Sequence, residues 1–486
     1  MNLLLRISDR TYRWLDERLG IGMVAKSTLL HQVPKSVNWF YVWGSAVLTA
    51  FVIQVITGMF LAMSYIPSPD HAYDSLNYIS QHQFLGNVLR GIHYWGASAM
   101  VLLVFIHMTA HFLTGSYKYP REMQWLTGSV LLILTIVMAF TGQLLRWNQD
   151  AYWAVVVGAE QAARTPIIGQ WVAELLNAGP HVNGQTLSRF YAIHIWLVPG
   201  GIITFIGVHL YLVIYKGISE WPVPGKPVDP RTYWAEYQQI LHEDGEPFFP
   251  RAMFKDALVT FLLIIVILIL AITLGGQGLG LKANPLTPAN PKPDWYLIWY
   301  FAVLALIGVG SEGSAITPFV IILFPAIAFT ILFLFPLANK GERNPLRRPW
   351  AIAVVVLAAS GFLVLSYLGY AEPWKPVLIN GTTPPNVPAK ATTGVTGMAL
   401  QGAHLFSAEA CISCHTMDGV GGQRGPDLSN IGGQLTEGEL IWRIAHGGGG
   451  MPAYGNTLTP TQMDQLVAYL ETRTSTGTVQ ATGPGG

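Results

Sequence analysis

Residues 90–111, RGIHYWGASAMVLLVFIHMTAH, decide the fold together with a second stretch at 189–209, RFYAIHIWLVPGGIITFIGVH. Both stretches are apolar along a length that suits a long helix, and each carries two distant histidines. His93 and His107 are 14 residues apart, and the second pair is 15 apart. An α-helix rises about 1.5 Å and turns about 100° per residue, so each pair lies roughly on one face, ~21–22 Å apart. Each helix therefore presents two imidazoles, one near each side of a bilayer.

Buried histidines in hydrocarbon are functional candidates because an unpaired polar group is costly there. Two pairs at matching spacing favour bis-histidine ligation of two stacked haems, with a neutral imidazole at each axial position. The alternative is four core histidines that hydrogen-bond to the backbone.

The composition indicates an integral membrane protein. The 486 residues are 51% hydrophobic and 11% charged, against about 25% charged in ordinary globular domains. The net charge of +1 gives no case for a nucleic-acid partner. The first 20 residues look like an amphipathic surface helix and lack the features of a cleaved secretory signal.

Seven apolar stretches are long enough to span a bilayer, at about 38–63, 91–113, 125–145, 190–215, 257–274, 317–337 and 350–370. Lysine and arginine are concentrated in the segments that lie inside when the N-terminus is inside. The prediction is an all-α membrane protein, a seven-helix bundle followed by a small α-helical domain outside. A shorter apolar piece at 295–310 fits a re-entrant or interfacial helix.

This topology pairs the four histidines by membrane side. The stretches 91–113 and 190–215 both run from outside to inside. We therefore expect His93 to face His194 near the outer surface, and His107 to face His209 near the inner surface.

Glycines on the first and third predicted spans repeat the histidine spacing. Gly44 and Gly58 are 14 residues apart, as are Gly128 and Gly142. Glycine lets a flat macrocycle approach a helix backbone closely, so these four are candidate haem contacts. Small residues that pack helices together are the alternative.

The carboxyl-terminal part carries the chain's two cysteines in the sequence CISCH, from Cys411 to His415. The pattern C-x-x-C-H is the signature of covalent c-type haem attachment. Cys411 and Cys414 would form the thioethers, His415 would be the proximal ligand, and Met451 is the best candidate for the sixth ligand. A dithiol redox pair or half of a zinc site is the alternative for the two cysteines.

Residues 30–370 closely resemble the cytochrome b of the quinol-oxidising bc and bf complexes. Pro293, Asp294, Trp295 and Tyr296 resemble the family's P-E/D-W-Y motif at the outer quinol site. The sequence GERNPLRRPWA, the 15-residue histidine spacing and the seven spans resemble the bf branch, here in one chain. The carboxyl-terminal part resembles a small class I cytochrome c.

The resemblance implies five segments. They are an inner-face amphipathic segment (1–37), a four-helix dihaem core (38–215), a three-helix part with the PDWY loop (216–370), a linker (371–394) and a cytochrome c domain (395–486).

Two departures from the family matter. The bf branch has a cysteine that attaches an extra haem, and Val42 stands in that place, which excludes covalent attachment but leaves a noncovalent haem open. The family also has tyrosine and proline after Gly142, where this chain reads TGQLLRWNQ (141–149).

The resemblance implies the core subunit of a bacterial quinol:cytochrome c oxidoreductase. Quinol, expected to be menaquinol, would be oxidised at the outer face. Its electrons would be bifurcated to a Rieske protein and haem c on one side and to two b haems on the other, with proton translocation. Further small or c-type subunits, a soluble or membrane electron acceptor and a homodimer are also expected. The location would be the bacterial cytoplasmic membrane, with the N-terminus cytoplasmic and the c domain periplasmic.

Three further residues receive roles from the resemblance. Asp294 would accept a proton from quinol, or else be a helix N-cap. Asp256 would be the acid at the inner quinone site, or a solvated first-turn residue. Arg90 would pair with a haem propionate, or anchor the helix at the interface.

Two other classes of function compete with this enzyme. One is a dihaem anchor that only relays electrons to a partner, and the other is a haem-based sensor or structural subunit. Both leave the PDWY motif and the fused c domain without a purpose.

Overall fold

The structure is a computed structural model that describes residues 2–163, 165, 167–179, 182–284, 292–306, 323–338, 341–371, 386–421, 425–447, 451, 454–455 and 458–474. It is mostly helical, which confirms the predicted class. Within these residues, six helices could span a membrane: Trp39–Ala62, Gly86–Leu113, Glu122–Leu144, Gly184–Lys216, Phe248–Leu274 and Pro349–Ala371. The predicted span at 317–337 begins outside the described residues, and its described helix is Phe324–Ala338.

The α-helices follow the chain as α1 (Asn2–Leu19), α2 (Ile21–Leu29), α3 (Trp43–Ala62), α4 (Ala72–Gln81), α5 (Gly86–Leu113), α6 (Glu122–Leu144), α7 (Gln149–Ala163), α8 (Gly169–Asn177), α9 (Gly184–Ala192), α10 (Val198–Lys216), α11 (Tyr233–Asp244), α12 (Met253–Leu274), α13 (Trp295–Leu306), α14 (Phe324–Ala338), α15 (Pro349–Ala371), α16 (Ala389–Thr392), α17 (Gly397–Ala408), α18 (Glu437–His446) and α19 (Pro460–Glu471). Two antiparallel pairs of short strands join β1 (Gln32–Pro34) to β2 (Gly245–Pro247) and β3 (Thr416–Met417) to β4 (Val420–Gly421).

The centre of the membrane part is a four-helix arrangement in which α3 packs on α5 and α6 packs on α10. An apolar layer fills its middle, made of Ala46, Ala50, Phe51, Met100, Leu103, Val198 and Ile202. Met100 and Leu103 lie between the two histidines of α5. The apolar layer therefore separates two histidine levels, His93 with His194 and His107 with His209, which keep the names outer and inner from the topology predicted above.

The second histidine-bearing span contains a π-helical turn, Ile193–Leu197, between α9 and α10. The Val198 N–H donates to the Ile193 carbonyl, five residues earlier. Pro199 follows, and proline has no N–H for the carbonyl four residues back and crowds that carbonyl. A π turn holds one residue more than an α turn, which offsets the longer histidine spacing on this span. The predicted uninterrupted α-helix is wrong at this turn.

A buried charged cluster ties together the α5–α6 loop, the loop after α10 and the loop before α15. Arg121 donates from Nη1 to the Tyr233 hydroxyl at 2.7 Å, and that hydroxyl donates to Glu220 Oε2 at 2.8 Å. Arg343 donates from Nη1 to Glu220 Oε1 at 2.6 Å. Burial favours the neutral acid, but the charges of Arg343 and Arg121 and the Tyr233 hydrogen bond lower the pKa of Glu220.

Two further contacts cross from the α5–α6 loop to the loop before α15. Lys118 Nζ donates to the Glu342 carbonyl at 2.6 Å, and Arg348 Nη2 donates to the Tyr117 hydroxyl at 2.8 Å. Burial, together with the charges of Arg348 and Arg343, lowers the pKa of Lys118 to about 8.

The carboxyl-terminal domain has its own core, where α17 crosses α19 at Gly402. A Cβ on Gly402 would lie 1.9 Å from the Gln465 carbonyl oxygen, so only glycine permits this crossing. Val387 and Ala391 pack in the same core. The described fold of this domain thus starts before residue 395, and residues 372–385 of the predicted linker lie outside the described residues.

We expect Pro199→Ala to restore an N–H and favour a regular α turn, which removes the extra residue and rotates His194 by about 100° relative to His209. The outer b-type absorbance should shift or disappear while the inner one stays. The measurement is the reduced-minus-oxidised spectrum of the purified complex. The matched control is Pro336→Ala, inside α14, and an unchanged outer band in the Pro199 variant would contradict the prediction.

Candidate haem and quinol sites

The structure brings the four histidines together in the expected pairs. The ring centroids of His93 and His194 are 6.5 Å apart, and those of His107 and His209 are also 6.5 Å apart. This separation leaves room for one metal atom with metal–nitrogen bonds of about 2 Å on each side. Each pair therefore fits the two axial ligands of a haem iron.

A threonine hydroxyl orients the outer ligand of α5. Thr57 Oγ1 donates to the Ile53 carbonyl at 2.6 Å, and it lies 2.9 Å from His93 Nδ1. A hydroxyl has one proton to donate, so towards Nδ1 it acts as the acceptor. His93 then carries its proton on Nδ1, which leaves the Nε2 lone pair for iron.

Two of the other histidines each have a threonine partner of their own. Thr141 Oγ1 lies 3.1 Å from His194 Nδ1, and Thr127 Oγ1 lies 2.9 Å from His209 Nδ1. Each of the three threonines directly precedes one of the predicted glycines. Sequence reasoning missed these threonines, although the repeated Thr-Gly dipeptide was a readable signal.

His107 is the exception among the four. Trp43 stands where the other sites have threonine, directly before Gly44. In the part of the chain that the structure describes, His107 Nδ1 is buried without a hydrogen-bond partner. The ring of His111 lies against it, with centroids 4.6 Å apart and planes at 78°.

The four glycines lie against the histidine rings themselves. A Cβ on any of them would approach an imidazole Cε1, which gives each glycine a role in clearing space for a ligand. The distances are 3.2 Å from Gly44 to His107, 3.4 Å from Gly58 to His93, 3.4 Å from Gly128 to His209 and 2.7 Å from Gly142 to His194.

Arg90 lies one turn before His93 and lines a polar cavity with Asn87 and Tyr73. Its Nε is buried and has no partner among the described residues. A Cβ on Gly276 would lie 2.9 Å from the Arg90 guanidinium carbon. The unpaired donor fits a propionate carboxylate at the outer haem.

The PDWY segment leads into α13, and Asp294 lies there among polar side chains. Arg146 Nη2 lies 2.9 Å from Asp294 Oδ1, with side-chain exposures of 11% and 12%. The Tyr296 hydroxyl lies 3.1 Å from Oδ2 and 3.0 Å from the Ala139 carbonyl. Sequence reasoning noted an unusual segment here but did not pair Arg146 with Asp294.

The other two residues of the motif pack around it. Pro293 is buried, and the Trp295 indole donates to Ser98 Oγ on α5 at 3.4 Å. The motif therefore joins α13 to α5 and to the end of α6.

Asp256 lies at the inner end of α12, against α3. Its Oδ1 accepts a hydrogen bond from Ser45 Oγ at 3.0 Å. Ser45 directly follows Gly44, which lies against the inner ligand His107. The residue that binds the carboxylate is therefore the sequence neighbour of the glycine that lies against His107.

In the carboxyl-terminal domain, His415 is held from two sides. Its Nδ1 lies 2.9 Å from the Pro426 carbonyl, which leaves Nε2 for iron. A Cβ on Gly425 would lie 2.4 Å from His415 Cε1, so glycine is needed there. Cys411 and Met451 pack against the same core, and burial raises the pKa of the Cys411 thiol to about 12.

We expect Thr57→Val to leave the His93 Nδ1–H without an acceptor, and to lower affinity for the outer b-type haem by about 10- to 100-fold. Titration of the haem-depleted complex, followed by absorbance, measures this loss. Thr135→Val is the matched control, because among the described residues its hydroxyl bonds to the Leu131 carbonyl and not to a histidine. Equal affinities in both variants would contradict the assigned role of Thr57.

Three family models match the chain. Their descriptions are "Cytochrome b/b6/petB" over residues 29–217, "Cytochrome b(C-terminal)/b6/petD" over 282–383, and "Cytochrome C oxidase, cbb3-type, subunit III" over 397–470.

Among similar proteins, the cytochrome bc complex cytochrome b subunit of Chlorobaculum thiosulfatiphilum is 33% identical over 368 residues, which covers 75% of this chain and 82% of the relative. Cytochrome b6 of Heliobacterium mobile is 43% identical over 209 residues, covering 43% of this chain and 98% of the relative. The menaquinol:cytochrome c reductase cytochrome b subunit of Bacillus subtilis is 36% identical over 219 residues, with the same two coverages.

A solved structure described as a hyperthermophilic respiratory Complex III superimposes with a TM-score of 0.62 and 28% identity, over 74% of this chain and 91% of that one. The shared fold, the relatives and the paired histidines agree. The chain therefore belongs to the cytochrome b family, as a subunit of a bc-type quinol–cytochrome c reductase with a cytochrome c domain at its carboxyl end.

Proposed function

We propose that the chain oxidises quinol at the outer membrane face and reduces quinone at the inner face. The observation that carries the proposal is the pair of opposed imidazoles at each of two levels. Two b-type haems at these levels and one covalent c-type haem would supply the one-electron carriers needed to divide the two electrons of quinol between a Rieske partner and the inner face.

The outer site would be built around Asp294. Its carboxylate lies at the start of α13, beside the Tyr296 hydroxyl and the Arg146 guanidinium. A carboxylate in such a position can accept a proton from a quinol hydroxyl and pass it to water at the surface. Pro293 and Trp295 would fix the backbone and the wall of this site.

The inner site would be built around Asp256. Its hydrogen bond to Ser45, the residue after Gly44, supports a proton-carrying role beside the inner histidine level. A quinone that is reduced there needs protons from the inner side, and a carboxylate at the end of α12 can deliver them.

The carboxyl-terminal domain would receive electrons outside the membrane. Cys411 and Cys414 would attach the haem, and His415 and Met451 would bind its iron from opposite faces. The Pro426 carbonyl would keep His415 in the required orientation.

The Rieske iron–sulfur cluster would lie on a separate protein of the complex, because the c domain uses both cysteines of this chain. Relatives named for menaquinol support menaquinol as the substrate. The N-terminus would lie in the cytoplasm, the c domain in the periplasm, and the assembly would be a homodimer in which proton release outside and uptake inside translocate protons.

We expect a pyridine haemochrome spectrum of the purified chain to give two b haems for each c haem. His107→Ala removes one inner ligand, so this variant should keep the outer b haem and the c haem and lose the inner one. His111→Ala is the matched control on the next turn. Two b haems in the His107 variant would contradict the ligand assignment.

We expect Asp294→Asn to lower quinol-driven reduction of the c domain on the order of 10²-fold or more, because the amide cannot accept a proton. The assay uses the complex with its Rieske partner. Asp74→Asn is the control, an outer-face carboxylate in an exposed pair with Lys282. Full activity in the Asp294 variant would refute the outer-site proposal, and the dihaem-relay alternative would then be favoured.

A further inference from the structure

Two side chains in the segment that departs from the family meet the candidate proton acceptor. Gln143 Oε1 accepts from the Asp294 backbone N–H at 3.0 Å, and Arg146 Nη2 binds Asp294 Oδ1 at 2.9 Å. Both come from the end of α6, directly after Thr141 and Gly142, which contact His194.

The guanidinium of Arg146 is held in place by more than Asp294. Its Nε donates to the Gln143 carbonyl at 3.2 Å, and its Nη1 donates to Gln277 Oε1. The ion pair with Asp294 is largely buried. The fixed guanidinium therefore holds the Asp294 carboxylate in one position at the start of α13.

The amide oxygen of Gln143 accepts a hydrogen bond, whereas its amide nitrogen has no partner among the described residues. Only an oxygen can accept the Asp294 N–H, so the second amide atom is the Nε2 donor. Gln143 is 5% exposed, and its Nε2 has no partner in the described part of the chain. A buried donor without a partner is costly unless a ligand supplies the acceptor, and a quinol or quinone oxygen is such an acceptor.

We propose that Gln143 and Arg146 belong to the outer quinol site, with Gln143 Nε2 donating a hydrogen bond to a quinol oxygen and Arg146 positioning Asp294 as its proton acceptor. This inference rests on the proposed function of Asp294. As quinol is oxidised, its O–H bond breaks, the proton forms a bond to a carboxylate oxygen of Asp294, and the electron leaves to the Rieske cluster. The proton weakens the pair with Arg146, which favours its release to water.

Several other groups act electrostatically on this pair and stay unchanged in the test. They lie on α5, on α7, next to Asp294 and on α15: Arg90, Tyr94, Asp150, Tyr296 and Tyr370. Lys292, two residues before Asp294, donates its backbone N–H to Asp150 and is also left unchanged.

The test is the pH dependence of quinol-driven reduction of the c domain in the complex with its Rieske partner. Arg146→Gln removes the positive charge, so the carboxylate should bind its proton more tightly and the rate should fall at higher pH than in the wild type. The acid limb should move up by about one pH unit or more. Arg146→Lys keeps the positive charge, so the acid limb of its pH–rate profile should lie close to that of the wild type.

Gln143→Leu tests the hydrogen bond separately. It should raise the KM for quinol on the order of 10-fold, while the acid limb stays where the wild type has it. The control is Lys282→Gln, which breaks the exposed outer-face pair with Asp74 and should change neither KM nor pH profile. Haem spectra identical to the wild type establish that each variant is folded.

The outcomes separate this inference from the proposed function. If Asp294→Asn abolishes turnover but Arg146→Gln and Gln143→Leu behave as Lys282→Gln does, the two residues are structural and this inference is overturned. If Asp294→Asn keeps full turnover, the proposed function itself fails. If Arg146→Gln does not assemble, Gln143→Leu decides the inference: a KM equal to that of Lys282→Gln overturns it, and a raised KM with an unchanged pH profile supports it.

Discussion

The structure depends on giving both nitrogens of a buried imidazole a partner where no water is present. At three of the four ligands, a threonine hydroxyl accepts the Nδ1 proton, which fixes the tautomer and leaves Nε2 for iron. The glycine after each threonine clears the space that the ring occupies. These contacts explain why α3 packs on α5 and α6 packs on α10, because each ligand-bearing helix needs a Thr-Gly helix beside it.

The two proposed quinone sites adjoin this arrangement in the sequence. Gly142 touches His194, and the next residue, Gln143, binds the backbone of Asp294. Gly44 touches His107, and the next residue, Ser45, binds Asp256. Each candidate proton carrier is therefore positioned by the residue that follows a ligand-contacting glycine. At both proposed sites, the same short stretch of backbone would bring the substrate and the electron carrier close together.

Much of the fold was predictable, because span length, basic loops and the CISCH motif each have a direct physical meaning. The register of the second histidine helix was not, since a π turn depends on how the chain accommodates Pro199 rather than on apolar periodicity. The Arg146–Asp294 pair was also out of reach, because it joins residues 148 positions apart. The threonine partners were readable as a repeated dipeptide, but their meaning required knowing which helices lie side by side.

The cluster of Arg121, Glu220 and Arg343 has a consequence for how such a chain can be divided into two polypeptides. Together with Lys118 and Arg348, it fastens the four-helix portion to the remaining membrane helices by noncovalent contacts. These contacts, rather than the peptide connection, then hold the two portions together. A polypeptide ending near residue 217, where the match to the cytochrome b/b6 family model ends, would keep Arg121 and Lys118 for these contacts. Fission and fusion at this place can leave the assembled architecture intact.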